Sequence, residues 1–205
     1  MTDNISRLDL ADTGFSHDAP ELDELAFLAG RGVLVAPIMV VPAREEEEFY
    51  RNASLVPQLN GIFSPVDPAD PDEDDIHDFA PAAQELLLGN YLLDEVVDRF
   101  YDTVEGLPGR LRVRRPGSPG ILADGPRAAL LALKSIWAAD WSVEGLLDRL
   151  RTTRSFSLSA RPVLLHPADE AAGEKLSGEI RKLLGRNARV HVTASNAVSR
   201  LSPTS

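Results

Sequence analysis

Apolar positions recur at helical spacing over most of this chain and alternate over only a few short stretches. The longest helical run lies in DFAPAAQELLLGNYLLDEVVDRFYDTVEGLPG. There Leu86, Leu87, Leu88, Leu92, Leu93, Val96, Val97, Phe100, Tyr101 and Val104 form one broad stripe. Pro81 fits a first helical position with Asp78 as N-cap, and Gly106 with Pro108 ends the run, so the spacing predicts one long helix central to the core. Shorter helices are predicted over PELDELAFLAG, from Pro20 to Gly30, over PRAALLALKSIWAAD, from Pro126, and over WSVEGLLDRLRTT, with Asp140 or Ser142 as cap. In AREEEEFYRNASLVPQLNGIF, Glu45 to Glu48 read as the solvated first turn of a helix, where the dipole favours anions.

Extended segments are fewer. VLVAPIMVVP is β-branched and apolar on both faces, but Pro37 cannot donate to a ladder, so a bend is expected there. RLRVRRPGSPGILADGP alternates Leu111 and Val113 against Arg110, Arg112 and Arg114 before a Pro/Gly turn, which predicts a strand followed by a loop or a hairpin. RPVLLHPADEAAGEKLSGEIRKLLGRNARVHVTAS reads as strand, helix and strand, with Asp169 near the helix start and Gly185 at its end. The connection is long enough for a crossover and a parallel pairing.

Together these elements predict an α+β protein, mainly helical, with short strands and a C-terminal strand-helix-strand unit. The expected organisation is a flexible arm over 1–20, a small N-terminal element over 21–63 and an acidic Pro-rich linker over 64–78. The main body would follow over 79–195, with a tail over 196–205. At 205 residues with 43% hydrophobic content, the chain can bury a sizeable core. The longest apolar run is about half of what spans a bilayer, which needs roughly 20 residues. The acidic, polar first residues lack the pattern of a secretory or transit signal, so a cytoplasmic protein without membrane insertion is expected.

Charge divides the chain. Between Arg51 and Arg99 there is no Lys or Arg, while Asp67, Asp70, Asp72, Glu73, Asp74, Asp75, Asp78, Glu85, Asp94, Glu95 and Asp98 all fall there. From Arg110 onward 16 bases face 8 acids, so the protein joins an acidic half to a basic half. Separated fields of opposite sign steer association and set orientation. Two candidate interaction surfaces follow, an acidic one of Asp70, Asp72, Glu73, Asp74, Asp75 and Asp78, and a basic one of Arg110, Arg112, Arg114, Arg115, Arg149, Arg151 and Arg154.

The chemistry excluded is more specific than the chemistry found. With no cysteine, disulfides, thiolate metal sites and cysteine nucleophiles are impossible. Asp70, Asp72 and Asp74 match the first three ligand positions of a calcium loop. However, Asp75 stands where the turn needs Gly and Pro81 where a bidentate Glu is needed, so no specific calcium site is expected. No phosphate-cradling glycine loop and no G-x-S-x-G elbow occurs. His17 and His77 fall in the arm and the linker. His166 and His191 would come together with Asp169 or Glu170 only if their strands paired, and strand-end histidines are the plainer reading. No catalytic residue, cofactor or metal is assigned. A pI near 4.8 and few interleaved aromatics argue against nucleic acid despite the Arg cluster.

From about Arg127 to Ser205, AALLALKSIWAADWSVEGLLDRL, PVLLHPADEAAGEKL and ARVHVTAS resemble the C-terminal domain of peripheral stator proteins that regulate flagellar and type III secretion ATPases. The resemblance covers under half the chain and implies a non-catalytic dimer that binds an ATPase. The reading from the residues is a non-catalytic binding or assembly component of a larger bacterial complex. Its partners would be other protein subunits, a second copy of the chain among them. The competing class is an enzyme or small-ligand regulator whose site is built from dispersed Asp, Glu, Arg and His. A weaker alternative is a nucleic-acid-associated protein acting through the basic half. A pocket with convergent polar groups would favour the enzyme. An exposed apolar patch rimmed by charge would favour the assembly protein.

Overall fold

Pro at the first helical turn, acids near helix starts and glycines at turns set most element boundaries. The computed structural model describes residues 6–7, 19–107, 109–157, 160–168 and 171–203. The helices are α1 (Pro20–Gly30), α2 (Ala43–Asn52), α3 (Leu55–Ile62), α4 (Glu73–Gly89), α5 (Asp94–Val104), α6 (Pro126–Ala139), α7 (Val143–Thr153) and α8 (Glu174–Leu184). The strands are short: β1 (Ser6–Arg7), β2 (Met39–Val41), β3 (Leu111–Arg114), β4 (Ile121–Ala123), β5 (Val163–Pro167), β6 (Ala171–Ala172), β7 (Ala188–Val192) and β8 (Val198–Pro203). The fold is α+β and mainly helical.

Three layers organise it. The central one is a five-stranded antiparallel sheet of order β1-β2-β5-β3-β4. One face carries Met39, Val41, Leu111, Val113, Val163 and Leu165 into the larger core, which α2 to α7 supply with Phe49, Leu59, Ile76, Phe100, Trp137 and Leu146. The other face carries Ile38, Val40 and Leu164 into a second core, closed by α1, α8 and the three-stranded sheet β6-β7-β8. Val198 of β8 joins the sheets' neighbourhoods, bridging to Val35 and exchanging backbone hydrogen bonds with Leu34 and Ala36 at 2.8 Å each.

Several expectations change. The two strands of the C-terminal unit do not pair in parallel: β5 lies between β2 and β3 in the central sheet, whereas β7 forms an antiparallel hairpin with β8. The segment assigned to a tail therefore contains a paired strand. The element over 21–63 is not a separate unit, since α1 closes the second core and α2 and α3 enter the first. The acidic stretch is not wholly a linker, because Val66 is buried and α4 starts at Glu73. Its N-cap is Asp72, whose carboxylate accepts from Asp74 N–H at 3.0 Å, not Asp78. Pro81 is therefore interior. Its missing N–H leaves the His77 carbonyl without an intrahelical donor, on a turn where both residues face solvent, so water can serve. The arm over 1–20 falls outside the described residues except for Ser6, Arg7, Ala19 and Pro20, and His17, Asp169 and Glu170 fall outside them too.

The hairpin between β3 and β4 turns through Gly120, where φ is +71°. A Cβ at that position would collide with Arg114 Cβ and the Val113 carbonyl, so only glycine fits. Gly120→Ala is expected to cost about 2–3 kcal/mol by combining left-handed strain with overpacking. Urea unfolding measures it.

Candidate functional site

Charged side chains of this protein form buried ion pairs inside the fold and an acidic cluster around the start of α4. The polar face of β3 is covered by the second core, so the alternation of Arg112 and Arg114 does not mark a solvated face. Arg114 is fully buried and grips Glu21 of α1 through both terminal nitrogens, at 2.7 and 2.8 Å. Glu21 also accepts from Gly117 N–H at 2.8 Å and Leu201 N–H at 2.9 Å. Arg114 Nε donates to His166 Nε2 at 2.9 Å, which fixes the ring as neutral with its proton on Nδ1, facing the Pro167 carbonyl at 3.0 Å. Burial first, then the Arg114 cation, push His166 down to about 3. One buried side chain thus ties α1, β3, β5 and the hairpin turn together.

Arg115 does the same on the larger core's side. Its Nη2 donates to both Glu46 oxygens at 2.9 Å and to Asp140 Oδ2 at 2.6 Å, while Arg161 donates to Asp140 Oδ1 at 2.6 Å and, through its backbone N–H, to Glu46 at 3.2 Å. Burial raises Glu46 to about 7 against the opposing Arg115. Behind it, Trp141 Nε1 donates to the Tyr50 hydroxyl at 2.6 Å, and burial together with Glu46 pushes that phenol up. Glu45, also buried and raised by burial, meets Arg99 of α5 at 3.4 Å. Two of the four glutamates read as a solvated first turn are therefore interior.

The basic candidates do not converge on one surface. Arg114 and Arg115 are internal. Arg112 is half-buried, donating to the Pro119 carbonyl at 2.9 Å, and Arg149 is half-buried, donating to the Phe156 carbonyl at 3.1 Å and to the Asp140 carbonyl. Arg110 is exposed and paired with Asp124 at 3.0 Å. Arg151 and Arg154 are exposed and line a shallow recess with Pro68, Pro71 and Glu73. His166 and His191 lie in different sheets. Among the described residues no cluster of three or more His, Asp or Glu side chains could hold a metal ion. Nor is any helix there long and apolar enough to cross a membrane.

The acidic candidates do share one surface. Asp70 precedes α4, Asp72 caps it, Glu73, Asp74 and Asp75 fill its first turn, and Asp78 follows one turn on; all are exposed except the half-buried Asp75. Among the described residues none of the eleven carboxylates from Asp67 to Asp98 enters an ion pair. Those carboxylates have no ion-pair partner among the described residues, whereas Glu21, Glu24, Glu46 and Asp140 are paired with arginines of the C-terminal half.

The far end of the same helix carries the apolar part. The predicted single helix breaks at Gly89–Asn90: Asn90 is extended, its Nδ2 donates to the Leu86 carbonyl at 2.7 Å, and α5 starts afresh at Asp94. Lys134 of α6 caps the break, donating Nζ to the Leu88 carbonyl at 2.7 Å and to the Asn90 carbonyl, where a helix C-terminus favours a cation. The elbow so fixed exposes Leu88 by 48%, Tyr91 by 91% and Leu93 by 52%, with Leu131, 58% exposed, one turn before Lys134. Asp94 and Glu95 flank it. The chain matches no family model and no curated protein, so the resemblance to stator proteins gains no support.

Proposed function

We propose that this protein is a non-catalytic binding component of a larger assembly, docking a basic protein partner along α4 and α5. The observation that carries this reading is the coincidence, on two consecutive helices, of an unpaired anionic face with an exposed apolar elbow. An arrangement of large apolar residues rimmed by charge suits association, the apolar anchors contributing affinity and the charge contributing rate and orientation. Capping by Lys134 holds the elbow in one shape before binding, which lowers the entropic cost of docking.

Purification of the intact protein from its native cell, with mass spectrometry and light scattering, tests the proposal. A defined complex is expected, weakening as salt rises because the contact is partly electrostatic. Leu88→Ser with Tyr91→Ser should lower its affinity on the order of tenfold or more, as loss of a central apolar anchor does. Changing Asp72, Asp74 and Asp75 to Asn should mainly slow association and flatten the salt dependence. Recovery of a lone monomer at every ionic strength would overturn the reading.

A further inference from the structure

A cleft of about 620 Å³ opens between α2 and α3, lined also by Trp141, Phe156, Ser157 and Ala160. That volume falls in the range of small-molecule sites, roughly 300–1,000 Å³. Its wall is the end of an aromatic ladder. Trp141 stacks on Phe63 with centroids 5.7 Å apart and planes 23° apart, and Phe63 stacks on Phe156 at 4.7 Å and 17°. Phe63 is the buried middle rung, and Phe156 is the last one, half-buried and bordering the cleft. Arg149 holds both ends, its guanidinium 4.7 Å over the Trp141 ring and its Nη1 on the Phe156 carbonyl. The wall is therefore set before any ligand arrives.

We propose that this cleft binds a small, uncharged, planar heteroaromatic ring that adds the next rung to the ladder on Phe156. Offset stacking of parallel rings is the geometry already repeated twice in the wall, and it tolerates any ring with a π face. The buried floor offers no charge: the Tyr50 hydroxyl is neutral, accepting from Trp141 Nε1 and keeping its own O–H as a donor. The rim carries Glu47 and Arg51, opposite in sign and one helical turn apart on α2, so the mouth selects neither an anion nor a cation. Ser54 and Asn60, also at the rim, can meet the donor and acceptor edge of a heterocycle. A phosphate-bearing nucleotide fits this balance poorly, and a free base or similar ring fits it well.

Benzimidazole and cyclohexanecarboxamide, equal in heavy atoms but differing in planarity, are suitable probes for the full-length protein. Saturation-transfer NMR detects binding, isothermal titration measures Kd, and upfield shifts of the bound ligand protons report stacking on a ring. The expected result is saturable binding of benzimidazole with upfield shifts, at least tenfold tighter than cyclohexanecarboxamide. Phe156→Leu should abolish the upfield shifts and weaken binding about tenfold. Val56→Trp, on the exposed rim and clear of the ladder, should block the cleft in a normally folded protein. Equal binding of both probes, no binding of either, or undiminished benzimidazole binding in Val56→Trp would overturn the proposal.

Discussion

Arg114→Met is expected to cost about 3–5 kcal/mol, the range for breaking a buried ion pair from one side. The reason is what it leaves behind. Glu21 would retain only the Gly117 and Leu201 amides around a carboxylate packed beneath α1, and His166 Nε2 would lose its donor. At roughly 2–4 °C per kcal/mol for a chain of this size, the melting temperature should fall by about 10 °C. The double variant Arg114→Met with Glu21→Leu should recover much of the loss, because it removes both charges together and no unpaired one remains. Calorimetry of the two single variants and the double closes the cycle. A single-variant loss below about 1 kcal/mol would show that the pair does not hold α1 to the central sheet.

The same cluster shows what a sequence reader can and cannot see. Helices with local punctuation were legible: Pro20, Pro126 and Gly185 mark boundaries, and Ser142 caps α7 by accepting from Gly145 N–H at 3.2 Å. The β3 strand and the Pro/Gly turn after it were legible as a strand with a loop or hairpin, and pairing with β4 makes it a hairpin. Everything that depended on a distant partner was not. The alternation of Leu111 and Val113 with Arg112 and Arg114 establishes two faces, but only the tertiary fold covers the arginine face with α1 and the β7–β8 hairpin. Glu46 reads as one of four equivalent glutamates, and its difference lies in Arg115, 69 positions on. The unbroken run of leucines concealed the break between α4 and α5, for which Gly89–Asn90 was the available signal. The long connection from β5 to β7 permitted a crossover, but pairing partners, not connection length, decided the sheet. For the candidate surface, the acids were visible because their lack of bases is a one-dimensional fact. The exposed elbow was not, since leucine in a helical stripe reads as core until the neighbouring helix is placed.

Acid should destabilise this protein through His166, and by a route that two substitutions can isolate. The folded state holds His166 neutral down to about pH 3, against 6.5 ordinarily, so between those values the unfolded chain carries a proton that the folded chain lacks. Stability from this group is complete above about pH 6.5 and is lost as pH falls, by up to about 5 kcal/mol at roughly 1.4 kcal/mol per unit. Glu46 acts in the opposite sense. Its folded value near 7 lies above the ordinary 4.5, so its contribution is present below 4.5 and is lost as pH rises towards 7, by about 3 kcal/mol. Between about pH 4.5 and 6.5 the two slopes oppose each other, and the two groups together should leave stability nearly flat, with a decline below that window and a smaller one above it as Glu46 ionises. Glu46→Gln keeps an acceptor for Arg115 and removes the compensation, so its stability relative to wild type should fall on acidification from pH 7 to 4.5. His166→Gln keeps an acceptor for Arg114 and removes the acid loss, so its relative stability should rise as pH drops from 6.5 towards 3. Urea titrations of the three proteins at half-unit pH steps read these differences directly, with the contribution of the exposed carboxylates cancelling between variants. Parallel pH curves for His166→Gln and wild type would mean that burial and the Arg114 cation do not keep the ring neutral.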